Sequence, residues 1–183
     1  MHKLRDASSE AEADLRAQIE RIVDKGKVYV LGLGNTDRAD DGAGVVVAER
    51  LKKRFPYYSF SEHDGVEGTV LDISEKAKGS TVLFVDAGNI DMPPGTIMVV
   101  EKEDIKDTEI TTHRVQVALM ASLLEKNGVR TAIICVQPGR IDFRGELSEP
   151  VSRAISTLNR ILSSIMADLD QDNPSIRALG KSL

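Results

Sequence analysis

The sequence contains a single cysteine, no tryptophan and no long apolar run. The lone Cys135 excludes an internal disulfide, and a chain of 183 residues can bury enough apolar surface to fold without one. A helix that spans a bilayer needs about 18 or more consecutive apolar residues, and no such run occurs. We therefore expect one globular domain that makes no membrane contact.

The chain also has no basic stripe and few aromatic side chains. The chain has 24 Lys and Arg against 29 Asp and Glu, a net charge of −5, with only four Phe and three Tyr. Nucleic-acid binding depends on phosphate neutralisation and base stacking, so we expect no nucleic-acid partner. Acidic residues also interrupt the first twenty positions, where a signal peptide needs an apolar core, and we expect a cytoplasmic protein.

Short β-branched runs alternate with helical patterns along the middle of the chain. The patterns predict strands at 28–33, 58–62, 81–85, 96–100 and 131–136, and helices at 8–26, 43–54, 70–78, 114–127 and 150–168. Such alternation predicts an α/β three-layer sandwich with a mostly parallel central sheet flanked by helices. We expect an N-terminal helical extension at 1–26, a single α/β domain at 27–169 and a loose tail at 170–183.

The glycine-rich loop at 32–44 joins the first strand to the next helix and carries two adjacent acids, Asp40 and Asp41. Ligands of parallel sheets bind outside the carboxyl ends of the strands, so this loop is a candidate site. A dinucleotide site is disfavoured, because Asp37 replaces the third glycine of its fingerprint and the acids would repel a pyrophosphate. One aspartate suffices as a helix cap, so at least one of the pair is interpreted as a cation ligand or catalytic group.

Two further residues, Asp86 and His113, are candidates for the same site. Asp86 comes directly after the apolar run 81–85, where it faces the ligand site or bonds its own backbone in a turn. His113 precedes the apolar helix predicted at 114–127. Two carboxylates and one imidazole suit a divalent metal such as nickel or zinc that keeps open positions, and they equally suit a base with groups that orient water. The chemistry indicated is hydrolysis or metal recognition.

Several short motifs, in this order, resemble those of the nickel-iron hydrogenase maturation endopeptidases. They are Gly-Leu-Gly-Asn with Asp-Asp-Gly, then Val-Asp-Ala, Thr-Thr-His and Val-Gln-Pro, at residues 32–35, 40–42, 85–87, 111–113 and 136–138. The resemblance covers about residues 27–168. Through Asp41 and the Thr-Thr-His triplet it is closest to the branch that processes the large subunit of formate-hydrogenlyase-type hydrogenases.

The resemblance implies an α/β sandwich whose Asp41, Asp86 and His113 act as metal-binding and catalytic residues. It further implies an aspartyl-type protease that removes a C-terminal extension from the nickel-iron hydrogenase large-subunit precursor. Cleavage follows nickel insertion in this family, so nickel is expected to arrive with the substrate and not to be held tightly by the free protein. We expect the protein to be a monomer.

Substrate binding is expected at the glycine loop and after the second strand. Gly34 and Asn35 are expected to bind substrate, and backbone N–H groups of the glycine loop are expected to stabilise the oxyanion. Asp64 lies in a stretch similar to the family's Asp-Gly-Gly motif for substrate selection, although Val66 replaces the second glycine.

Two alternative functions remain open at this point. One is a stand-alone metal-dependent amidase or peptidase that uses the same ligands and a permanently bound ion. The other is a non-catalytic checkpoint protein that binds the precursor in a nickel-dependent manner. The sequence also leaves open whether a carboxylate or the metal activates the water.

Overall fold

The computed structural model describes residues 7–23, 26–101 and 113–172. Within them the strands are β1 (Val28–Gly32), β2 (Ser59–Ser61), β3 (Thr81–Ala87), β4 (Ile97–Glu101) and β5 (Arg130–Val136). The helices are α1 (Ala7–Ile22), α2 (Ala43–Lys52), α3 (Val66–Lys76), α4 (Arg114–Lys126) and α5 (Glu149–Asp172), with short 3-10 turns at Ala39–Gly42 and Glu62–Asp64. Among the helices described, none has the length and apolar content needed to cross a bilayer.

The strands form one sheet in the order β2-β1-β3-β5-β4. β1 runs parallel to β2 and β3, and β3 runs parallel to β5, whereas β4 lies antiparallel to β5 at the edge. The predicted fold class, an α/β sandwich with a mostly parallel sheet, is confirmed. Parallel strands all end at one edge, so the loops that follow β1, β2, β3 and β5 meet there.

Both faces of the sheet are buried because successive side chains of a strand point to opposite sides. On β3, Leu83 and Val85 belong to the core cluster that contains α1, α2 and α5 residues, whereas Val82 and Phe84 belong to the one that contains α3 and α4 residues. This double burial explains why the strands appear in the sequence as continuous apolar runs.

Several element boundaries differ from the sequence prediction, and the first helix, predicted to end at residue 26, ends at Ile22. β3 continues past residue 85, because its pairing with β5 extends to Ala87 opposite Val136. α3 begins at Val66, directly after Gly65, whose positive φ of 76° ends the preceding turn. α5 extends to Asp172, beyond the predicted end at 168. Of the tail predicted at 170–183, residues 173–183 lie outside the described residues.

The first helix packs onto the domain. Ile19 and Val23 are buried in the same cluster as the apolar face of α5. Around them, Arg16 bonds Ser164 and Asp168 on α5, and Arg160 of α5 pairs with Glu12. α1 therefore contributes to the outer layer that covers one face of the sheet.

Candidate functional site

The loop after β1 passes unusually close to the end of β3 at Gly34. A Cβ atom at this position would lie 1.9 Å from the backbone oxygen of Asp41 and 3.7 Å from Oδ1 of Asp86. The φ of Gly34 is also +116°, a conformation that L side chains rarely adopt. Glycine is required here because it lets the turn that carries Asp41 lie beside Asp86.

Asp86 lies within β3 and is fully buried. The alternation of the strand places it on the same face as Phe84, toward α4. His113 stands at the N-terminal end of α4, and its Nδ1 lies 3.1 Å from Oδ2 of Asp86. Because β3 continues past residue 85, Asp86 is a strand residue that faces α4 and not a turn residue.

The pKa of Asp86 and the pKa of His113 both lie above their ordinary values, for different reasons. Burial raises the pKa of Asp86, the bond to His113 opposes that rise, and the nearby charge of Asp41 adds to it. The hydrogen bond that the His113 ring donates to Asp86 raises the pKa of His113, burial opposes this rise, and the charges of Asp86, Glu62 and Asp41 add to it. His113 thus carries a positive charge over a wider pH range than an isolated histidine does.

One oxygen of Asp86 has no hydrogen-bond partner among the residues that the structure describes. Within the described part of the chain, Oδ1 of Asp86 is buried and accepts no hydrogen bond. Burying a carboxylate oxygen without a donor is costly, so such an atom is often completed by a ligand. Gly34 is close to this oxygen, so Oδ1 lies at the junction with the glycine loop.

The predicted metal ligands are neighbours but do not form a closed cluster. The structure brings Asp86 and His113 into direct contact, and Asp41 lies near enough to affect the pKa of both. No group of three or more metal-binding side chains is preassembled among residues 7–23, 26–101 and 113–172. Metal binding by the three residues therefore remains a prediction.

The other acid of the pair, Asp40, has a different environment. Its carboxylate accepts hydrogen bonds from the backbone of Gly139, Arg140 and Ser148 and from the Ser148 hydroxyl. Burial alone would raise the pKa of Asp40, but these hydrogen bonds outweigh it and hold the pKa below its usual value. Asp40 is therefore an ionised structural anchor, and Asp41 is the acid that lies beside Asp86.

The predicted substrate-binding side chains make contacts within the protein. Oδ1 of Asn35 accepts a hydrogen bond from the Asp37 backbone at 2.8 Å. The carboxylate of Asp64 pairs with Nζ of Lys52 at 2.5 Å and accepts a bond from the Ser61 backbone at 2.9 Å. These contacts stabilise the two loops, and a role of Asn35 and Asp64 in substrate binding stays a prediction. The two threonines before His113 lie outside the described residues.

Glu62 is a site neighbour that the sequence interpretation missed. It begins the 3-10 turn after β2 and is half-buried. Burial raises its pKa, the charge of His113 lowers it, and the charges of Glu67 and Asp86 raise it. The rule that ligands bind at the carboxyl ends of parallel strands would have identified Glu62, because it directly follows β2.

Comparison with known proteins defines the class. Residues 45–165 match the family HycI, described as hydrogenase maturation protease, so the chain belongs to the hydrogenase maturation protease family and is an endopeptidase. The family resemblance of the motifs is confirmed. The matched residues include Asp86 and His113 and begin just after Asp41.

Individual relatives agree with this assignment. The chain is 26% identical to the hydrogenase 3 maturation protease of Escherichia coli K12 over 132 residues, which is 70% of this chain and 84% of the relative. Its fold is similar to the crystal structure of a [NiFe] hydrogenase maturation protease HycI from Thermococcus kodakarensis, with a TM-score of 0.68 and 24% identity over 82% of this chain and 99% of that one. The solution structure of endopeptidase HycI from Escherichia coli gives a TM-score of 0.62 with 23% identity, covering 75% and 90% of the two chains.

Proposed function

We propose that this endopeptidase removes the C-terminal extension of a nickel-iron hydrogenase large-subunit precursor that has already received its nickel. The observation that supports the proposal best is the environment of Asp86. Its carboxylate is buried, held by His113 on one oxygen and left without a donor in the described structure on the other, next to the Asp41 turn. A cation presented by a substrate would satisfy that oxygen.

Nickel is part of the substrate in this proposal. Asp41 and Asp86 would offer oxygen atoms and His113 a ring nitrogen, a mixed set that suits a borderline divalent metal. The remaining coordination positions would be filled by the precursor's own ligands. Binding the metal would hold the scissile bond in the cleft, and this gain in proximity is the main contribution of the three residues.

Hydrolysis then requires an activated water and a stabilised oxyanion. In the proposed reaction, a site carboxylate or the nickel ion takes part in deprotonating the water. Backbone N–H groups of Gly34 and Asn35 would stabilise the negative charge on the carbonyl oxygen. We propose that the reaction takes place in the cytoplasm and that the protease acts as a monomer.

The first test is the intact mass of a hydrogenase large-subunit precursor incubated with the protease, with and without nickel loading. The wild type should release a C-terminal peptide from the loaded precursor only. Asp41→Asn should abolish cleavage while the circular dichroism spectrum stays unchanged, because the amide keeps the size of the side chain and removes its charge. Asp37→Asn removes an exposed charge from the same loop and should cleave like the wild type.

Three results would redirect the assignment. Cleavage at the wild-type rate by folded Asp41→Asn would contradict a role for this carboxylate. A metal content of about one ion per chain after purification would favour the stand-alone metal-dependent peptidase, because three ligands complete a catalytic site that keeps one open position. Nickel-dependent complex formation without a new C-terminus would favour the checkpoint protein.

A further inference from the structure

Asp40 joins two loops that are far apart in sequence. Its Oδ2 accepts hydrogen bonds from the backbone of Gly139 at 2.8 Å and of Arg140 at 3.0 Å, and from the hydroxyl of Ser148 at 2.8 Å. Its Oδ1 accepts a bond from the Ser148 backbone at 2.6 Å. The side chain is fully buried, and all these donors belong to the segment between β5 and α5.

The same two loops are held together by further contacts. The Asp40 backbone donates to the oxygen of Arg140 at 3.2 Å, and the Arg144 backbone donates to the oxygen of Asp37 at 2.6 Å. Ala39 and Arg144 both adopt positive φ, 48° and 58°. Such conformations are strained in non-glycine residues and persist only where the surroundings hold them. The turn that precedes α2 is therefore shaped by the loop after β5.

Asp41 is the next residue in this turn. No side-chain hydrogen bond from Arg38 caps the 3-10 turn at its start in the described structure. Within the turn, the Asp41 backbone N–H donates to the oxygen of Arg38 at 3.1 Å. Asp40, which is adjacent to Asp41 in the chain, holds the turn against the β5–α5 loop. A change in the Asp40 contacts would move the Asp41 carboxylate relative to Asp86 and His113.

We propose that Asp40 is a positioning residue of the protease, whose four hydrogen bonds to the β5–α5 loop set the place of Asp41 beside Asp86 and His113. This inference rests on the proposed function only for the effect on cleavage. The effect on the turn itself follows from the contacts of Asp40 and can be measured in the free protein.

The informative substitution is Asp40→Asn. An amide offers one oxygen and one NH₂ group, whereas Asp40 meets donors at both oxygens. The amide keeps most contacts when its oxygen takes the place of Oδ2, which meets three donors. Its NH₂ group then faces the Ser148 backbone N–H, and the hydrogen bond from that N–H is lost. Ser148→Ala is a milder change, because it removes the hydroxyl contact and leaves the three backbone contacts in place.

The experiment measures cleavage of the nickel-loaded precursor and amide hydrogen exchange, at a temperature where each variant is folded. Displacing a catalytic group by about 1 Å can cost about 100-fold in rate, and we expect a loss of kcat/KM of this order for Asp40→Asn. Ser148→Ala should lose about tenfold, because it lacks one charge-assisted hydrogen bond. Asp37→Asn, a matched loss of one negative charge from the same loop, should cleave like the wild type.

Hydrogen exchange separates positioning from a general loss of stability. In Asp40→Asn the amide of Asp41 should lose protection, while the amide of Leu124 within α4 should keep it. Wild-type cleavage together with wild-type Asp41 exchange in folded Asp40→Asn would overturn the proposal. If Asp40→Asn does not fold, Ser148→Ala decides, and an unchanged cleavage rate in that variant would overturn it.

A different result is expected if the proposed function is wrong. In that case the wild type itself leaves the nickel-loaded precursor intact. The Asp41 exchange in the free protein then decides the positioning role alone, and unchanged protection in Asp40→Asn would overturn it.

Discussion

Adjacent residues of identical chemistry have different roles in this protein. Asp40 and Asp41 differ by one position, yet the carboxylate of Asp40 is saturated with donors from another loop and Asp41 lies near a second acid. The difference arises because successive side chains in a tight turn point in different directions. The pair in the sequence therefore combines one anchor and one candidate ligand.

At the same scale, the contact with Asp86 should be visible in the titration of His113. We expect nuclear magnetic resonance to give a pKa for His113 above its ordinary value of 6.5. Asp86→Asn should lower that pKa, because the hydrogen bond that His113 donates to the Asp86 carboxylate is the largest cause of the rise. An unchanged His113 pKa in the folded Asp86→Asn variant would contradict the ion pair.

The same shift makes stability depend on pH. His113 binds its proton more tightly in the folded protein than in the unfolded chain, so it stabilises the fold fully below the unfolded pKa. This contribution should be lost as the pH rises above 6.5 through the folded pKa. Urea unfolding at a series of pH values should show the decrease, and the exposed His63 offers a control through His63→Gln, in which the decrease should persist.

At the scale of elements, the site is an arrangement of loops that follow parallel strands. The loop after β1 carries Asp41, β3 carries Asp86 and the N-terminal end of α4 carries His113. Gly34 allows the first of these to approach the second, since any side chain there would overlap the Asp41 backbone. The glycine loop thus brings the Asp41 turn and β3 together.

Gly34→Ala should therefore damage both fold and site. A positive φ and a Cβ contact of 1.9 Å combine backbone strain with overpacking, and we expect a loss of about 2 kcal/mol or more in the free energy of unfolding. Gly68→Ala is the matched control, because its added Cβ meets nothing within 4 Å on helix α3. The control should be neutral or gain about 0.5 kcal/mol from helix propensity.

Denaturant unfolding of both glycine variants measures the difference. If Gly34→Ala unfolds at the same urea concentration as Gly68→Ala, the close approach at Gly34 does not exist in solution. Cleavage by Gly34→Ala should also decrease at temperatures where it is folded, because the Asp41 backbone must shift to admit the methyl group.

At the scale of the whole molecule, α1 is part of the layer that covers the sheet. Ile19 is fully buried against the cluster that includes Leu158 and Leu162 of α5. The surrounding pairs between Arg16 and Asp168 and between Arg160 and Glu12 are largely exposed, so their contribution is small. Apolar burial, and not the ion pairs, attaches the helix.

Ile19→Ala should therefore lower the free energy of unfolding by about 2–5 kcal/mol, the usual cost of a large-to-small change in a core. Leu119→Ala is the control, because Leu119 on α4 is 68% exposed, and it should change stability by less than about 0.5 kcal/mol. Urea unfolding followed by circular dichroism measures both. A small effect at Ile19, equal to that at Leu119, would show that α1 does not dock in solution.

Much of the fold could be predicted from local patterns. Apolar runs such as 81–85 and the glycines that follow helices predicted the alternation of strands and helices, because these signals depend on neighbouring residues. The exact ends could not be predicted in the same way. β3 extends to Ala87 because β5, more than 40 residues later, supplies hydrogen-bond partners up to Val136.

The sequence by itself determined the class of fold, the acidic and histidine candidates and the family, since periodicity and short motifs are local properties of the chain. Only the tertiary structure decided how those candidates divide their roles. The contact of His113 with Asp86, the partners of Asp40 and the proximity of Glu62 all join residues that are distant in sequence. Such contacts depend on the order and register of the strands, which single-residue patterns do not encode.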